Sequence, residues 1–221
     1  MAFTTQIFCF IFLPIMIISY FCFYFLQKRC NFLQKIRSTD ILLIMFSIVF
    51  YAWACFNDVL VFLAYIFILY MLGVLIGKVR KQGLNIKIYD NKNRSRFFSV
   101  ALIITLFSCA LVAIALIHFK CMPIVAPIFE FLSKTPIKTD SIIAPLGISF
   151  IAFSAISYLV DVYKGEADEG NFIDFLLYMT LFSKVVSGPI VLWRDYKNQT
   201  ATISANRFID GITRVMIGFS K

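Results

Sequence analysis

Apolar residues along this chain are grouped in long runs that short polar segments separate. Four of these runs carry no charged residue, at residues 7–26, 41–56, 59–77 and 97–118. A helix rises 1.5 Å per residue, so runs of this length cross most or all of a hydrocarbon layer about 30 Å thick. The pattern predicts membrane-spanning helices, with Asn57 and Asp58 forming a tight polar turn between the second and third.

The second half of the chain has a less regular pattern. Residues 142–160 form a further apolar run, and residues 172–193 are long enough for another. The latter run contains Lys184 and then Gly188 and Pro189, so we expect it to break there and not to complete the crossing.

Two more segments predict helices that do not span. The connection at 119–141 is rich in proline around an apolar run at 124–132, which is too short to cross. It predicts a re-entrant or interfacial helix near 123–133. In residues 203–221 the apolar residues recur at helical spacing and the charged residues fall on the opposite face. This pattern predicts an amphipathic helix along the membrane interface. The fold class predicted is all-α: a polytopic transmembrane bundle of five or six spans, with one re-entrant and one interfacial helix.

The net charge of +9 comes from two loops and orients this bundle. Residues 27–40 carry a net +3 and residues 78–96 a net +6, and both flank predicted spans. Cytoplasmic loops are enriched in Lys and Arg, so the N-terminus is expected outside a plasma (inner) membrane that the chain crosses several times. We read the excess charge as a topology signal and lipid headgroup contact, and a nucleic-acid partner is excluded because no recognition motif accompanies it.

Composition removes several classes of function. Apolar residues make up 61% of the chain, and this composition predicts that the lipid bilayer is its main partner. The six cysteines are scattered without a paired spacing, so neither a disulfide framework nor a metal site is expected. No nucleophile elbow, P-loop, zinc-protease or dinucleotide motif is present, and we predict no bound cofactor.

Polar residues inside the apolar runs are the candidate functional groups. Ser154, Ser157 and Asp161 are spaced at i, i+3 and i+7, so a helix places them on one stripe. Such a stripe faces protein or water, because an unpaired polar group in hydrocarbon is costly. Lys184 is an intramembrane charge and thus a functional candidate by default. The structural alternative is that Lys184 snorkels or pairs with a carboxylate such as Asp161.

The single histidine, His118, ends the fourth run. An imidazole at that position is typical of a side chain at the headgroup boundary. A catalytic role would need an orienting partner, and no acid lies near it in the sequence.

Four blocks of sequence resemble the membrane-bound O-acyltransferase family, and its alginate O-acetyltransferase branch most of all. They are VFYAWACFND at 49–58, PLGISFIAFSAISYLVDVYKGE at 145–166, NFIDFLLYMTLFSKVVSGPIVLWRDY at 171–196 and RFIDGITRVMIGFSK at 207–221. The resemblance covers essentially the whole chain. It marks as family-signature structural positions Pro145, Gly147, Ser149, Phe150, Tyr158, Gly188 and Pro189.

The resemblance implies acyl transfer, with acetyl the expected group, to hydroxyls of an exported polysaccharide or cell-wall polymer. It implies an acyl donor such as acetyl-CoA or an acyl carrier protein. It also makes Ser154, Ser157, Asp161 and Lys184 candidates for the wall of a substrate tunnel. Family members are about twice as long and carry their catalytic histidines in the second half. Residues 1–221 are therefore expected to be a single N-terminal portion without a catalytic residue, and inactive alone.

A different class of function remains open at this point. Polar stripes and a broken helix also suit a non-enzymatic membrane module, either half of a transporter or a scaffold for a polysaccharide export complex. The reading frame beyond Lys221 discriminates the two: further spans with two histidines favour the enzyme. Its partners would then be a C-terminal half or separate acyltransferase proteins.

Overall fold

The computed structural model describes residues 6–29, 37–85, 91–133, 147–185, 188–199 and 205–220. These residues are helical, with no strand among them, which confirms the predicted all-α class. A π-helical turn at Phe8–Phe12 leads into the first helix. The helices are α1 Leu13–Arg29, α2 Ser38–Ala54, α3 Val59–Asn85, α4 Asn91–Ser133, α5 Ile148–Lys164, α6 Phe172–Thr180, α7 Phe182–Val185, α8 Trp193–Asn198 and α9 Ala205–Ser220.

Helices of membrane-spanning length and composition occupy the first half of the chain. The described residues contain three such stretches, Phe10–Gln27, Val59–Asn85 and Ser95–Lys120, and the shorter apolar helix Ser38–Ala54. Large apolar side chains on these helices face outward: Phe10 is 79% exposed and Leu60 is 80% exposed. Outward apolar side chains are expected where lipid is the solvent, so the chain is a multi-pass membrane protein.

Helix α5 lies at the centre of the bundle. It packs against α3, α4, α6, α7 and α8, while α2 packs against α1 and α6. The buried core along α5 contains Ile151, Ala155, Tyr158, Leu159 and Val162. The polar stripe of α5 lies on its covered face and is held inside protein.

The predicted re-entrant element near 123–133 is absent as a separate helix. Helix α4 runs without interruption from Asn91 to Ser133, so the run at 124–132 is its last part. A helix of 43 residues is about 65 Å long, roughly twice the hydrocarbon thickness, and extends beyond a single crossing. The prediction was wrong because a proline removes only one backbone hydrogen bond, and a helix can continue through it.

The break predicted in the run 172–193 is present and is larger than expected. Helix α6 stops at Thr180, Leu181 leaves the helical conformation, and α7 adds only four residues. Residues 188–192, which include Gly188 and Pro189, are not helical. A nine-residue helix is about 14 Å long, so none of the pieces crosses a bilayer as a helix.

Other boundaries follow the sequence closely. A 3-10 turn at Phe56–Asp58 joins α2 to α3 where the Asn57–Asp58 turn was predicted. The predicted C-terminal helix at 203–221 is α9. Pro145 and the first residues of the run 142–160 lie outside the described residues; the described helix starts at Ile148 and continues to Lys164.

Candidate functional site

The three stripe residues on α5 are buried, as their spacing predicted. Ser154 is 2% exposed, Ser157 is 9% exposed and Asp161 is 5% exposed. The Ser157 hydroxyl donates a hydrogen bond to Asp161 Oδ2 over 3.3 Å. The i, i+4 spacing of these two residues on one helix brings the hydroxyl and the carboxylate together.

Ser157 and Asp161 hold the first turn of α8. The Ser157 hydroxyl oxygen accepts the backbone N–H of Trp193 at 3.0 Å, and Asp161 Oδ2 accepts the N–H of Arg194 at 3.0 Å. The first N–H groups of a helix have no partner within that helix, and a carboxylate there is also favoured by the helix dipole. Both side chains thus cap a helix that is more than thirty residues away in sequence.

Ser154 and Lys184 meet at a third residue, Tyr178 on α6. The Tyr178 hydroxyl donates to the backbone carbonyls of Ser154, at 3.4 Å, and Val191, at 2.8 Å. The Lys184 ammonium lies 3.3 Å from the centre of the Tyr178 ring and donates to the Tyr178 carbonyl oxygen at 3.2 Å. Lys184 is 8% exposed. The predicted alternative, a Lys184–Asp161 ion pair, is absent, because Asp161 faces α8.

The Lys184 ammonium therefore contacts an aromatic face and one carbonyl oxygen. No carboxylate pairs with Lys184 among the residues that the structure describes. An ammonium has three N–H donors, and one hydrogen bond and one ring contact account for at most two of them among the described residues. A buried cation with unused donors is suited to bind a carbonyl or anionic oxygen.

A cluster of five aromatic rings surrounds these groups. Its members, called the aromatic cluster below, are Tyr158, Phe175, Tyr178, Trp193 and Tyr196. The Trp193 indole N–H donates to the Asp168 carbonyl at 2.8 Å, and the Tyr158 hydroxyl donates to the Glu169 carbonyl at 3.2 Å. These bonds tie the loop after α5 to the cluster.

Two signature glycines mark close backbone contacts beside Lys184. Gly147 has φ +71°, and a Cβ there would lie 1.9 Å from the Val185 carbonyl oxygen. A Cβ on Gly188 would lie 2.3 Å from the Ser183 carbonyl oxygen. Of the other signature positions, Ser149 and Phe150 are half-buried and Pro189 is exposed. Gly147 lets α7 approach the start of α5, and Gly188 lets the chain fold back against Ser183 and Lys184.

The loop between α5 and α6, residues 165–171, is fixed by ion pairs and is not a freely solvated turn. Glu166 pairs with Arg194, and Lys197 lies 3.3 Å from both Asp168 and Asp174. Glu169 pairs with Lys81 at 2.5 Å. Partial burial opposes ionisation of Glu169, but the hydrogen bond and charge of Lys81 outweigh it and lower the pKa of Glu169 below its ordinary range.

His118 lies at the opposite end of the bundle from this loop. It lines a cavity of about 390 Å³ together with Tyr51, Asp58 and Tyr65. The sequence shows no acid near His118, but the fold brings Asp58 from the α2–α3 turn into the same cavity. No hydrogen bond joins the two side chains within the described ranges. None of the four predicted tunnel residues lines this cavity.

The chain is similar to three bacterial proteins named probable alginate O-acetylase AlgI. It is 30% identical over 226 residues to the protein from Azotobacter vinelandii, covering 100% of this chain and 40% of that protein. It is 29% identical to those from Pseudomonas aeruginosa and Pseudomonas syringae pv. tomato, again over the whole chain and 39% of each protein.

The chain is similar over its whole length to these probable alginate O-acetylases. It corresponds to their N-terminal part and spans about two-fifths of their length. The resemblance inferred from the four blocks is thereby confirmed. No family model matches the chain. No solved structure matches it significantly.

The similarity to these acetylases makes the buried polar region around Tyr178 the candidate functional site of this chain. Within the described residues the predicted tunnel candidates occupy one region, where Tyr178 contacts Ser154 and Lys184 and α8 contacts Ser157 and Asp161. Sequence reasoning missed Tyr178 and Trp193 as members of this region. The only signal for them was the density of aromatic residues between 172 and 196. The tunnel role itself stays a prediction, and no group of metal-binding side chains occurs in this part of the chain.

Proposed function

We propose that this chain is the N-terminal part of a membrane O-acyltransferase that transfers an acyl group, acetyl in the first place, to hydroxyls of an exported polysaccharide or cell-wall polymer. The observation that carries the proposal is the similarity of the entire chain to alginate O-acetylases. The buried polar region around Tyr178 supports it, because polar groups within a membrane bundle are retained where they serve function.

In this proposal the described residues bind and position the substrate and do not react with it. Lys184 offers N–H donors to an acyl carbonyl or phosphate oxygen of a donor such as acetyl-CoA or an acyl carrier protein. Ser157 and Asp161 fix α8, and the backbone carbonyls of Val191 and Ser154 hold the Tyr178 hydroxyl, so that the wall keeps its shape. We assign no catalytic residue within 1–221. By the family resemblance the base is a histidine in the second half of the family's sequences, and no segment of residues 1–221 resembles the motifs that carry it.

The proposal includes an orientation in the inner membrane. The end of the bundle that carries Arg80, Lys81 and the loop 165–171 faces the cytoplasm, and the α2–α3 turn and the N-terminus face outward. Single cysteines at Phe56 and Lys78, in a background without native cysteines, test it. A membrane-impermeant maleimide added to intact cells should label Phe56→Cys and spare Lys78→Cys. Labelling of Lys78→Cys from outside would reject the orientation.

A chimera tests the enzymatic function. Residues 1–221 replace the corresponding part of the Azotobacter vinelandii AlgI protein, and the chimera is expressed in a strain that lacks its own AlgI. We expect O-acetyl groups to return to the secreted alginate. Membrane abundance is measured by immunoblot in the same cells. A chimera that reaches normal abundance and yields no acetylation would refute the proposal and favour a non-enzymatic membrane module.

A further inference from the structure

A second cavity, away from the region around Tyr178, is formed at the end of the bundle that carries the α2–α3 turn. Its volume is about 390 Å³, within the range of small-molecule sites. Helices α2, α3, α4 and α5 all contribute to its wall. Its apolar lining consists of Val61, Phe62, Val112, Ala115, Leu116, Ile148, Ile151 and Ala152, with Phe119 at its edge.

One buried polar group in this cavity has no partner. Tyr51 is 2% exposed, and its hydroxyl makes no hydrogen bond with any described residue. Leaving a buried hydroxyl unsatisfied costs about 1–3 kcal/mol, and a bound group that hydrogen-bonds to it would remove that cost. Its ring stacks on Phe62 at 4.3 Å between centroids, so the hydroxyl is held in place.

The charge in this cavity is negative, whereas the chain as a whole carries +9. Asp58 supplies a carboxylate that forms no ion pair among the described residues. The rings of Tyr51, Phe62 and Tyr65 line the same space. An ammonium group is attracted both by a carboxylate and by aromatic faces. A ligand whose head group carries a net negative charge would be disfavoured at this place.

We propose that this cavity binds an amphiphile with a primary ammonium head group. The ammonium donates hydrogen bonds to Asp58 and to the Tyr51 hydroxyl oxygen, which then has its missing partner, and the alkyl part lies along α4 and α5. His118, which is exposed at the rim, contacts the polar part of the ligand. The site is separate from the acyl-transfer proposal and does not depend on it.

Lipid retention by the purified chain tests the proposal. Native mass spectrometry compares phosphatidylethanolamine, phosphatidylcholine and phosphatidylglycerol with the same acyl chains. We expect phosphatidylethanolamine to be retained about tenfold better than phosphatidylglycerol, the factor that about 1.4 kcal/mol of added attraction gives. A short-chain alkylamine should compete, and the alcohol of the same chain length should not. If only the alkylamine binds, the source of the ammonium is a free amine. If phosphatidylethanolamine is not retained better than phosphatidylglycerol and the alkylamine competes no better than the alcohol, the proposal is wrong.

Two variants connect the binding to the residues named. Asp58→Asn should lower the retention of phosphatidylethanolamine to that of phosphatidylglycerol, while Asp195→Asn, a matched change at an exposed carboxylate on α8, should leave it unchanged. Tyr51→Phe removes the unpaired hydroxyl, so the ligand-free protein should melt at the same temperature or higher, and retention should fall. An unaltered lipid preference in Asp58→Asn, or a lower melting temperature with normal retention in Tyr51→Phe, would overturn the assignment.

Discussion

The Asp161 carboxylate accepts the backbone N–H of Arg194 at 3.0 Å and thereby joins α5 to α8. Both ends of this contact are fixed. Asp161 is 5% exposed and also accepts the Ser157 hydroxyl, and Trp193, the residue before Arg194, is fully buried in the aromatic cluster. The polar stripe that marks α5 in the sequence is thus, in the structure, the support of a short helix.

Asp161→Ala should destabilise the bundle by about 1–2 kcal/mol, the usual cost of losing a helix cap. Asp161→Asn keeps one acceptor oxygen and should cost less. Thermal unfolding in detergent, followed by tryptophan fluorescence in a Trp53→Phe background so that Trp193 is the single reporter, measures both. Asp195→Ala is the control, because its carboxylate is 56% exposed on α8, the helix that Asp161 caps. Equal melting of the Asp161→Ala and Asp195→Ala variants would contradict the capping role.

Gly73 allows α3 to approach α5. A Cβ at this position would lie 2.2–2.4 Å from ring atoms of Tyr158, whose hydroxyl is anchored to the Glu169 carbonyl. Because the ring cannot easily move, Gly73→Ala should destabilise by about 1–3 kcal/mol.

Gly211→Ala is the matched control for this change. Nothing lies within 4 Å of a Cβ there, so the variant should be neutral or gain up to about 1 kcal/mol of helix propensity in α9. Thermal unfolding of the two variants in the same detergent measures the difference. A Gly73→Ala protein as stable as Gly211→Ala would show that α3 and α5 do not pack as described.

The sequence was sufficient for most of the helices and for the polar stripe, because both depend on local periodicity. The spacing of Ser154, Ser157 and Asp161 is a property of one helix. Their partners could not be predicted, because Trp193 and Arg194 follow more than thirty residues later and reach α5 only through the broken segment 181–192. Burial of Tyr178 between Ser154 and Lys184 depends on the same tertiary path.

Local signals failed where tertiary packing or helix continuity overrode them. The proline-rich connection and its short apolar run predicted a separate re-entrant or interfacial helix near 123–133, yet α4 continues to Ser133. Conversely, Leu181 carries no breaking signal, and the helix stops before it. His118 had no acid near it in the sequence, and Asp58 reaches its cavity only because α3 and α4 are antiparallel neighbours joined at the far end.

Lys184→Met separates a structural role of this lysine from a functional one. Replacing a buried ammonium that has no carboxylate partner among the described residues by an apolar chain of similar length should leave the abundance and stability of the AlgI chimera unchanged or raised. Acetylation should fall about tenfold or more, which corresponds to losing one charge-assisted hydrogen bond to the substrate.

Ser183→Ala is the control for Lys184→Met, because Ser183 is the exposed neighbour on the same short helix. Alginate acetyl content and chimera abundance are measured in parallel for both variants. Full acetylation by the Lys184→Met chimera would show that Lys184 serves packing alone.

The Lys81–Glu169 ion pair should make stability depend on pH in the acidic range. The pKa of Glu169 is lowered in the folded protein, so its contribution is complete above the unfolded value of about 4.3 and is lost as the pH falls through the folded value. Lys81 is 56% exposed, which limits the contribution to about 1 kcal/mol or less. The difference in melting temperature between the wild type and Glu169→Gln should therefore shrink below about pH 4.

High salt should also shrink this difference, because it screens an exposed pair. The charge-exchanged double variant, Lys81→Glu with Glu169→Lys, should regain part of the stability that either single change loses. Gly77 lies under the Glu169 carboxylate, 2.9 Å from its Oε2 when a Cβ is added, and leaves little room for the longer lysine. Recovery should for that reason be incomplete. A wild-type advantage over Glu169→Gln that persists at about pH 3 would assign the effect to packing of the side chain and not to its charge.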